Sequence, residues 1–304
     1  MEHAWFLVIA LLLDAVFGEP KWLWTRFQHP AVFIGRIIAR LDTRFNAGPN
    51  RKRNGVLCIL GLCILAWSIG GLISALPDFG ILEIALTAIL LAQRSLVDHV
   101  RAVADGLRVS LGNGRTSVAM IVGRDTADMT ESAIARAAIE SAAENQSDGV
   151  IAPAFWFLLL GLPGLLVYKV INTADSMIGY KTDKHRDFGW ASARIDDVVN
   201  WIPARLTALL IAITHGKFSC WPQIRQDAPL HRSPNAGWPE AAMAVVMNIA
   251  LSGPRSYDGQ LRDFPYVNAI GKRDIGPAEI EAATHTLWRS WAGFITLTLL
   301  LTVI

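Results

Sequence analysis

The sequence predicts an all-α, multi-pass helical membrane protein with helical polar excursions on the cytoplasmic side and one broken apolar segment. Hydrophobic residues make up 52% of the 304 residues and charged residues only 18%, whereas soluble domains are closer to a quarter charged. Residues 55–76 carry no charge and are long enough to cross a bilayer core of about 30 Å. Residues 150–171 form a second apolar run that Gly161-Leu162-Pro163-Gly164 interrupts, which predicts either a kinked span or a re-entrant pair of half-helices.

We interpret residues 1–304 as one integral membrane domain with several candidate spans. These spans are residues 4–17, 55–76, 79–93, 150–171 (the broken segment), 203–216 and 287–304. The first has an acidic start and no good cleavage site, so we expect it to be retained rather than removed as a signal peptide. Residues 18–54 are short and basic, which places them in the cytoplasm. Residues 94–149 and 172–202 are the polar stretches expected to carry an active site, and residues 255–285 are expected to be a soluble loop.

Two local signals lie in the first polar stretch. Gly112-Asn113-Gly114 predicts a turn. Asp128 followed by Glu131 fits a capping box, and the alanine-rich sequence after it predicts a helix over about residues 129–147.

Composition and missing motifs disfavour several function classes. The net charge of +2 is too small to favour nucleic-acid binding. Cys58, Cys63 and Cys220 show no disulfide or zinc spacing and are expected to be small hydrophobic side chains. The sequence contains no Walker loop, no dinucleotide-binding glycine motif and no HExxH motif, so any nucleotide site here is not a standard one.

Acidic side chains are concentrated where the predicted helix meets the broken apolar segment. Glu140 and Glu144 are four residues apart and share a helix face, with Asp148 next on the same line. Arg136, four residues before Glu140, is a candidate partner for it. A solvated charged stripe is the alternative interpretation.

The second polar stretch adds Asp175 and the adjacent pair Asp196-Asp197. Neighbouring carboxylates repel each other, so the pair favours a bound cation, and hard oxygen ligands suit Mg²⁺. A helix cap combined with a salt bridge is the alternative. Lys181, Arg194 and Arg205 lie among these acids, and carboxylates beside cations are typical of phosphoryl transfer.

Many short strings of this sequence match those of one family. The matching strings are Leu13-Asp14, Gly18-Glu19-Pro20, His29-Pro30, Ile34-Gly35, Arg124-Asp125-Thr126, Ala138-Ile139-Glu140-Ser141, Glu144-Asn145, Asp148-Gly149, Ala152-Pro153, Tyr168, Asn172-Thr173, Asp175-Ser176-Met177, Gly179-Tyr180-Lys181, Phe188-Gly189-Trp190, Ala193-Arg194, Asp196-Asp197, Asn200, Pro203-Ala204-Arg205 and Ser233-Pro234-Asn235-Ala236-Gly237. Together they resemble the adenosylcobinamide-phosphate synthase family, also called CobD/CbiB, from about residue 11 to residue 259.

The resemblance implies an ATP-dependent ligase of cobalamin biosynthesis. Members of that family join adenosylcobyric acid to an amino-alcohol phosphate, usually (R)-1-aminopropan-2-yl phosphate, to give adenosylcobinamide phosphate. They are multi-pass proteins of the bacterial cytoplasmic membrane. The implied cofactors are ATP and Mg²⁺, and the implied partners are the two small-molecule substrates and membrane lipid, with no nucleic acid. A homo-oligomer and association with other membrane enzymes of the pathway are both left open.

The residue patterns and the family resemblance together predict roles for individual residues. Which carboxylate has which role stays open. The expected catalytic residues are Glu140, Glu144, Asp148, Asp175, Lys181, Arg194 and Asp197. The expected metal ligands are Glu140, Glu144, Asp175, Asp196 and Asp197. Asn145, Asn172, Asn200 and Arg205 are expected to bind the cofactor. Asp14, His29, Tyr180, Ser233 and Asn235 are expected to bind substrate.

A single cytoplasmic active site constrains the topology. Residues 140–148 and 172–181 flank the broken segment, so one site requires both of its ends on the same side, which favours the re-entrant form. A deep funnel is the alternative. Two competing functions are a secondary transporter, because transporters also contain broken helices near Asp and Asn, and a membrane phosphotransferase acting on a lipid alcohol.

Overall fold

Helices account for most of the protein. The computed structural model describes residues 2–257 and 260–303, and the chain is 74% helical with almost no sheet, which confirms the all-α class. The helices are α1 (Glu2–Phe17), α2 (Lys21–Trp24), α3 (Pro30–Phe45), α4 (Arg51–Ser74), α5 (Ile81–Leu90), α6 (Gln93–Val109), α7 (Leu111–Ala119), α8 (Glu131–Asn145), α9 (Ala152–Ile178), α10 (Trp190–Val199), α11 (Trp201–Thr214), α12 (Trp221–Asp227), α13 (Gly237–Met247) and α14 (Pro277–Val303). A π-helical turn, Gln146–Ile151, joins α8 to α9.

Short strands lie in and just before the predicted soluble loop of residues 255–285. They are β1 (Leu251–Ser252), which precedes the loop, and β2 (Arg255–Tyr257), β3 (Gln260–Arg262) and β4 (Tyr266–Val267) within it. Residues 277–285 are not a loop but the first part of α14. β1 pairs antiparallel with β4, and β2 pairs antiparallel with β3. Residues 258 and 259 of the predicted loop, and residue 304 of the last predicted span, lie outside the described residues.

Within residues 2–257 and 260–303, two helical stretches are long and apolar enough to cross a membrane. These are Arg51–Ser74 and the stretch Glu131–Ile178, and a third candidate arises if α10 and α11 form one bent span. The predicted spans near 4–17, 79–93 and 287–304 coincide with α1, α5 and the last part of α14. That these helices cross the bilayer stays a prediction.

Two local expectations from the sequence were wrong in detail. Gly112-Asn113-Gly114 does not form a turn but lies inside α7, because the Ser110 side chain caps that helix and accepts a hydrogen bond from the Asn113 amide. The residue that caps α8 is Thr130 rather than Asp128, and its hydroxyl accepts a hydrogen bond from the Ala133 amide. The helix therefore begins two residues later than predicted.

The break in the second long apolar segment lies at Gly161. Its φ of 64° and ψ of −158° are not helical, and Pro163 follows directly as the chain returns to helix. Only glycine adopts such angles easily, and proline is tolerated where a helix restarts. This confirms the predicted position of the break, while the choice between a re-entrant and a kinked span stays a prediction.

The described residues divide into two compact units. The first contains residues 1–92, 152–200 and 298–304. Its core is formed by α3, α4, α9 and the segment before α10, with Ile38, Ile59, Val170 and Phe188 among the buried side chains. A Cβ on Gly70 would lie 2.6 Å from the Cα of Pro163, so α4 and α9 approach closely at a glycine, as membrane helices often do.

The second unit contains residues 93–151 and 201–297. Within it, α8 is largely buried and presents fully buried alanines, such as Ala138 and Ala142, to its neighbours. Small side chains allow β1 and α13 to pack close to α8. This packing places the single buried acid of α8, Glu140, beside residues from distant parts of the chain.

Candidate active site

Glu140 is the centre of a buried ionic cluster in the second unit. Its side chain is only 9% exposed, and Arg124 donates a hydrogen bond of 2.8 Å to Oε2. Nη1 of Arg255 lies 3.3 Å from the same oxygen, and the Ser252 amide donates to Oε1 at 2.7 Å. Arg136 donates instead to the Arg273 carbonyl. The carboxylate of Glu140 is therefore held by two arginines and a backbone amide.

A buried acid and histidine from the segment around α13 share the environment of Glu140. Glu240 is 3% exposed, and its Oε2 lies 3.7 Å from Nε2 of His231. Burial, followed by the negative charge of Glu140, raises the pKa of Glu240 well above its usual range. Burial, followed by the positive charge of Arg255, lowers the pKa of His231 to about 4. At neutral pH the histidine is therefore uncharged.

The motif Ser233-Pro234-Asn235-Ala236-Gly237 builds the loop that positions this histidine. The Ser233 hydroxyl accepts hydrogen bonds from the amides of Asn235 and Ala236, and the Ser233 amide donates to Nδ1 of His231 at 3.0 Å. A Cβ on Gly237 would lie 2.8 Å from the Cβ of His231. The glycine therefore permits the close approach that turns the histidine toward Glu240.

Arg205 is held over two tryptophans in the same unit. Its guanidinium lies 4.4 Å from the ring centre of Trp201 and 4.6 Å from that of Trp238, and Nη1 donates to Oδ1 of Asn235 at 3.3 Å. A guanidinium fixed over aromatic faces keeps its planar fork in one orientation, which suits recognition of a phosphate or carboxylate.

The end of α8 carries the remaining predicted residues of this unit. Glu144 and Asn145 are exposed, and the Asn145 amide donates to the Ser141 carbonyl at 2.9 Å. Asp148 is half-buried within the π-helical turn. Turns of this kind occur often at functional sites, and no sequence pattern indicated this one.

The first unit contains a second acidic group, formed by the end of α9 and by α10. Asp175 and Asp196 act on each other electrostatically, and Asp197 acts on both. The Asn172 amide donates to Asp196 at 3.4 Å. Tyr168 donates to Oδ1 of Asn200 at 3.0 Å, and Nη1 of Arg194 lies 3.6 Å from Oδ2 of Asp197. The residues predicted from separate strings are thus brought together here.

A buried acid of α3 anchors the loop between α9 and α10. Nζ of Lys184 lies 2.7 Å from Oδ2 of Asp42, and Nε2 of His185 lies 3.4 Å from the same oxygen. Burial by itself would raise the pKa of Asp42. The hydrogen bonds from Lys184, Asn46 and His185 together outweigh burial, so the pKa lies below its usual value. This network fixes residues next to Tyr180 and Lys181, which are themselves exposed.

The other predicted residues of the first unit have structural contacts of their own. Nδ1 of His29 accepts a hydrogen bond from the Ala31 amide and caps α3, while Nε2 lies 3.1 Å from the Ile89 carbonyl. Asp14 is buried within α1. The contacts of His29 thus join the start of α3 to α5.

Among the described residues, no three His, Cys, Asp or Glu side chains are arranged to hold a metal ion. Mg²⁺ commonly binds to one or two carboxylates, with waters and substrate phosphates completing its shell. The Asp175 group meets that smaller requirement, whereas both oxygens of Glu140 already accept hydrogen bonds. That the acids of the two units form one site stays a prediction.

Sequence reasoning missed four residues of the Glu140 cluster: Arg124, Arg255, His231 and Glu240. Arg124 was part of a matching string but was given no role. Glu240 lies three residues after the matching string that ends at Gly237, and an acid at the start of an otherwise apolar helix was the available signal.

Apolar helices of spanning length, combined with buried charged groups built onto helices, define a helical membrane protein with polar sites. The family model described as CobD/Cbib protein matches residues 7–287. The chain is 48% identical over 300 residues to the cobalamin biosynthesis protein CobD of Brucella suis, covering 93% of this chain and 91% of that protein. It is 50% identical over 299 residues to the protein of the same name from Rhizobium meliloti, with coverage of 93% and 91%. It is 43% identical over 305 residues to that of Rhodobacter capsulatus, with coverage of 96% and 95%.

The chain therefore belongs to the CobD/CbiB family, which acts in cobalamin biosynthesis. This confirms the resemblance drawn from the sequence strings, and the pathway implies corrinoid small-molecule substrates. No solved structure matches the chain.

Proposed function

We propose that this protein joins adenosylcobyric acid to (R)-1-aminopropan-2-yl phosphate through an amide bond, consuming ATP and releasing adenosylcobinamide phosphate. The observation that carries the proposal is the CobD/CbiB match over residues 7–287. The buried Glu140 cluster and the partly buried Asp175 group, each with nearby cations, support it chemically because they offer sites for phosphates and for an amine.

The reaction requires activation of a carboxylate. A carboxylate does not react with an amine at neutral pH because an oxide would have to leave. Phosphoryl transfer from ATP to that carboxylate gives an acyl phosphate, whose phosphate is a good leaving group. We take this acyl phosphate as the intermediate, and an acyl adenylate is the alternative that the nucleotide product distinguishes.

The Asp175 group is the proposed site for magnesium and the nucleotide. Asp175, Asp196 and Asp197 supply the carboxylates, and Mg²⁺ bound there neutralises charge on the phosphates. Arg194, which lies beside Asp197, and the exposed Lys181 provide positive charge for the phosphoryl group in transit. Asn172 orients Asp196 through its side-chain amide.

Arg205 is the proposed site for the phosphate of the amino alcohol. Its guanidinium is fixed by Trp201, Trp238 and Asn235, so little rotamer freedom is lost when a phosphate binds. Three other residues of this unit keep the roles expected from the sequence: Asn145 in cofactor binding, Ser233 in substrate binding and Asp148 in catalysis.

The proposed location is the bacterial cytoplasmic membrane with the active site facing the cytoplasm. The short basic segment of residues 18–54 before α4 supports this orientation. Cysteine labelling at positions 146 and 184 tests the topology, because a re-entrant segment places both positions on one side. Labelling from opposite sides would end the re-entrant hypothesis.

The direct test uses detergent-purified protein with ATP, Mg²⁺, adenosylcobyric acid and aminopropanol phosphate. We expect a new species with the mass of the amide, formed only when ATP is present. ADP and phosphate as products would support the acyl phosphate, whereas AMP and pyrophosphate would replace it with the adenylate. No amide under any of these conditions would overturn the proposal.

The Asp197→Asn variant tests the nucleotide site. Removing one charge from the Asp175 group is expected to lower ATP-dependent product formation and to raise the Mg²⁺ concentration required. Asp183→Asn is the matched control, because the Asp183 side chain is fully exposed and forms an ion pair with nearby Arg186. Equal activity of the two variants would remove Asp197 from the site.

A further inference from the structure

Glu240 is a buried carboxyl group to which no role has been given above. It is 3% exposed, and its Oε1 atom is buried without a hydrogen-bond partner among the described residues. Leaving a buried acceptor unsatisfied is unfavourable, and more so for a charged group. Such an atom requires an explanation, and a bound ligand or ion is one.

The neighbouring histidine cannot supply a counter-charge for this carboxyl group. Nδ1 of His231 accepts the Ser233 amide, so the proton of the neutral ring is on Nε2 and faces Oε2 of Glu240. The ring is uncharged at neutral pH because its pKa is about 4. His231 therefore orients Oε2 and leaves Oε1 for another donor.

The surrounding charges favour a cation as that donor. Glu140 and Glu144 both act on Glu240 with negative charge, while Arg255 and Arg124 act with positive charge. Both arginines lie against Oε2 of Glu140 rather than against Glu240. Among the described residues, Glu240 thus lies in a group rich in both signs of charge without an arginine or lysine paired to it.

We propose that Glu240, oriented by His231, binds the primary ammonium group of the amino-alcohol phosphate through Oε1 and accepts a proton from it. The inference rests on the proposed function and deepens it by assigning the amine site. A zwitterionic ligand matches a unit that contains both the unsatisfied Oε1 of Glu240 and the fixed guanidinium of Arg205, which is available for the phosphate.

In the proposed step Glu240 is the first base, and water accepts the second proton. Binding of the R–NH₃⁺ group favours the ionised form of Glu240 and so offsets the burial that raises its pKa; one proton then passes to that carboxylate, which leaves a neutral amine. The nitrogen lone pair attacks the activated carbonyl carbon, the C–N bond forms and the C–O bond to phosphate breaks. The second nitrogen proton goes to water, inorganic phosphate leaves, and Glu240 returns its proton to solvent.

The test separates amine binding from carboxyl activation in the Glu240→Gln variant. Glutamine keeps the shape of the side chain but neither attracts an ammonium ion nor accepts its proton. We expect amide formation with aminopropanol phosphate to fall by about 10²-fold or more, with a higher KM for the amine and an unchanged KM for ATP. Hydroxylamine is uncharged at neutral pH, so it should still trap the activated acid as a hydroxamate in the variant.

Two further variants complete the experiment. His231→Gln removes the group that orients Oε2 and should give a smaller loss of the same kind. Glu281→Gln is the control, because Glu281 is an exposed acid paired with Arg108 and should leave amide formation unchanged.

The outcomes distinguish the inference from the proposed function. Wild-type protein that forms neither amide nor hydroxamate would overturn the proposed function itself. Amide formation that persists in Glu240→Gln would overturn the inference alone. An equal loss of amide and hydroxamate, or a higher KM for ATP rather than for the amine, would also overturn it, because the role of Glu240 would then be structural.

Discussion

Replacing Glu140 by glutamine should destabilise the second unit strongly. The substitution keeps the shape of the side chain and an acceptor for the Ser252 amide, but it removes the charge that faces Arg124 and Arg255. The three side chains are between 9% and 13% exposed, so solvent screens them little. Removing one partner of a buried ion pair costs about 3–5 kcal/mol. Because glutamine still accepts hydrogen bonds, we expect a loss of about 3 kcal/mol.

The assay is denaturant titration of the purified protein in detergent, followed by tryptophan fluorescence. The Glu140→Gln midpoint should shift to lower denaturant with an unchanged slope. Combining Glu140→Gln with Arg255→Gln should restore part of the loss, because one buried cation is then no longer uncompensated.

The matched control is Asp98→Asn, which breaks an ion pair of similar length on an exposed surface. Arg94 and Asp98 are 3.0 Å apart and about half exposed, so this change should cost less than about 1 kcal/mol. If Glu140→Gln were no more destabilising than Asp98→Asn, the ion pairs of Glu140 would not stabilise the second unit.

Three further predictions concern other parts of the molecule. Folding lowers the pKa of His231 from 6.5 to about 4. Between these two pH values the unfolded chain binds a proton at His231 more readily than the folded protein does. The free energy of unfolding should therefore fall by about 3 kcal/mol as the pH falls from 6.5 to 4. The raised pKa of Glu240 has the opposite effect on stability, so wild type must be compared with His231→Gln. The measurement is the difference between their free energies of unfolding from pH 7 to pH 4. A difference that stays constant over this range would refute the prediction for His231. Gly70→Ala should destabilise by about 1–3 kcal/mol because its Cβ would lie 2.6 Å from Pro163, whereas Gly71→Ala, with nothing within 4 Å, should be neutral or stabilising by up to about 1 kcal/mol in thermal unfolding. Gly179→Ala should lower ATP-dependent product formation, because its Cβ would overlap Oδ1 of Asp175, and wild-type activity would show that this carboxylate can move without consequence.

Part of the candidate site could be predicted from residues that are close together in the sequence. Asp196 and Asp197 are adjacent, and Asp175 follows the apolar segment directly, so their polar character beside a span was visible. Their mutual electrostatic contact depends on how α9 and α10 pack, which periodicity does not encode. The same limit explains the Arg136 error, since helical spacing offered Glu140 a partner one turn away while packing supplied two others.

The amino-acid sequence by itself determined the helical class, the place of the break at Gly161 and membership of the CobD/CbiB family. These features depend on local chemistry: runs of apolar side chains, a residue free to adopt unusual backbone angles, and strings of matching residues. Only the tertiary structure decided which charges meet, because Arg124, Arg255 and Glu240 come from elements far from Glu140 in the chain. A buried charge is stable only beside the groups that compensate it, and those groups are chosen by the packing of α8 against β1 and α13.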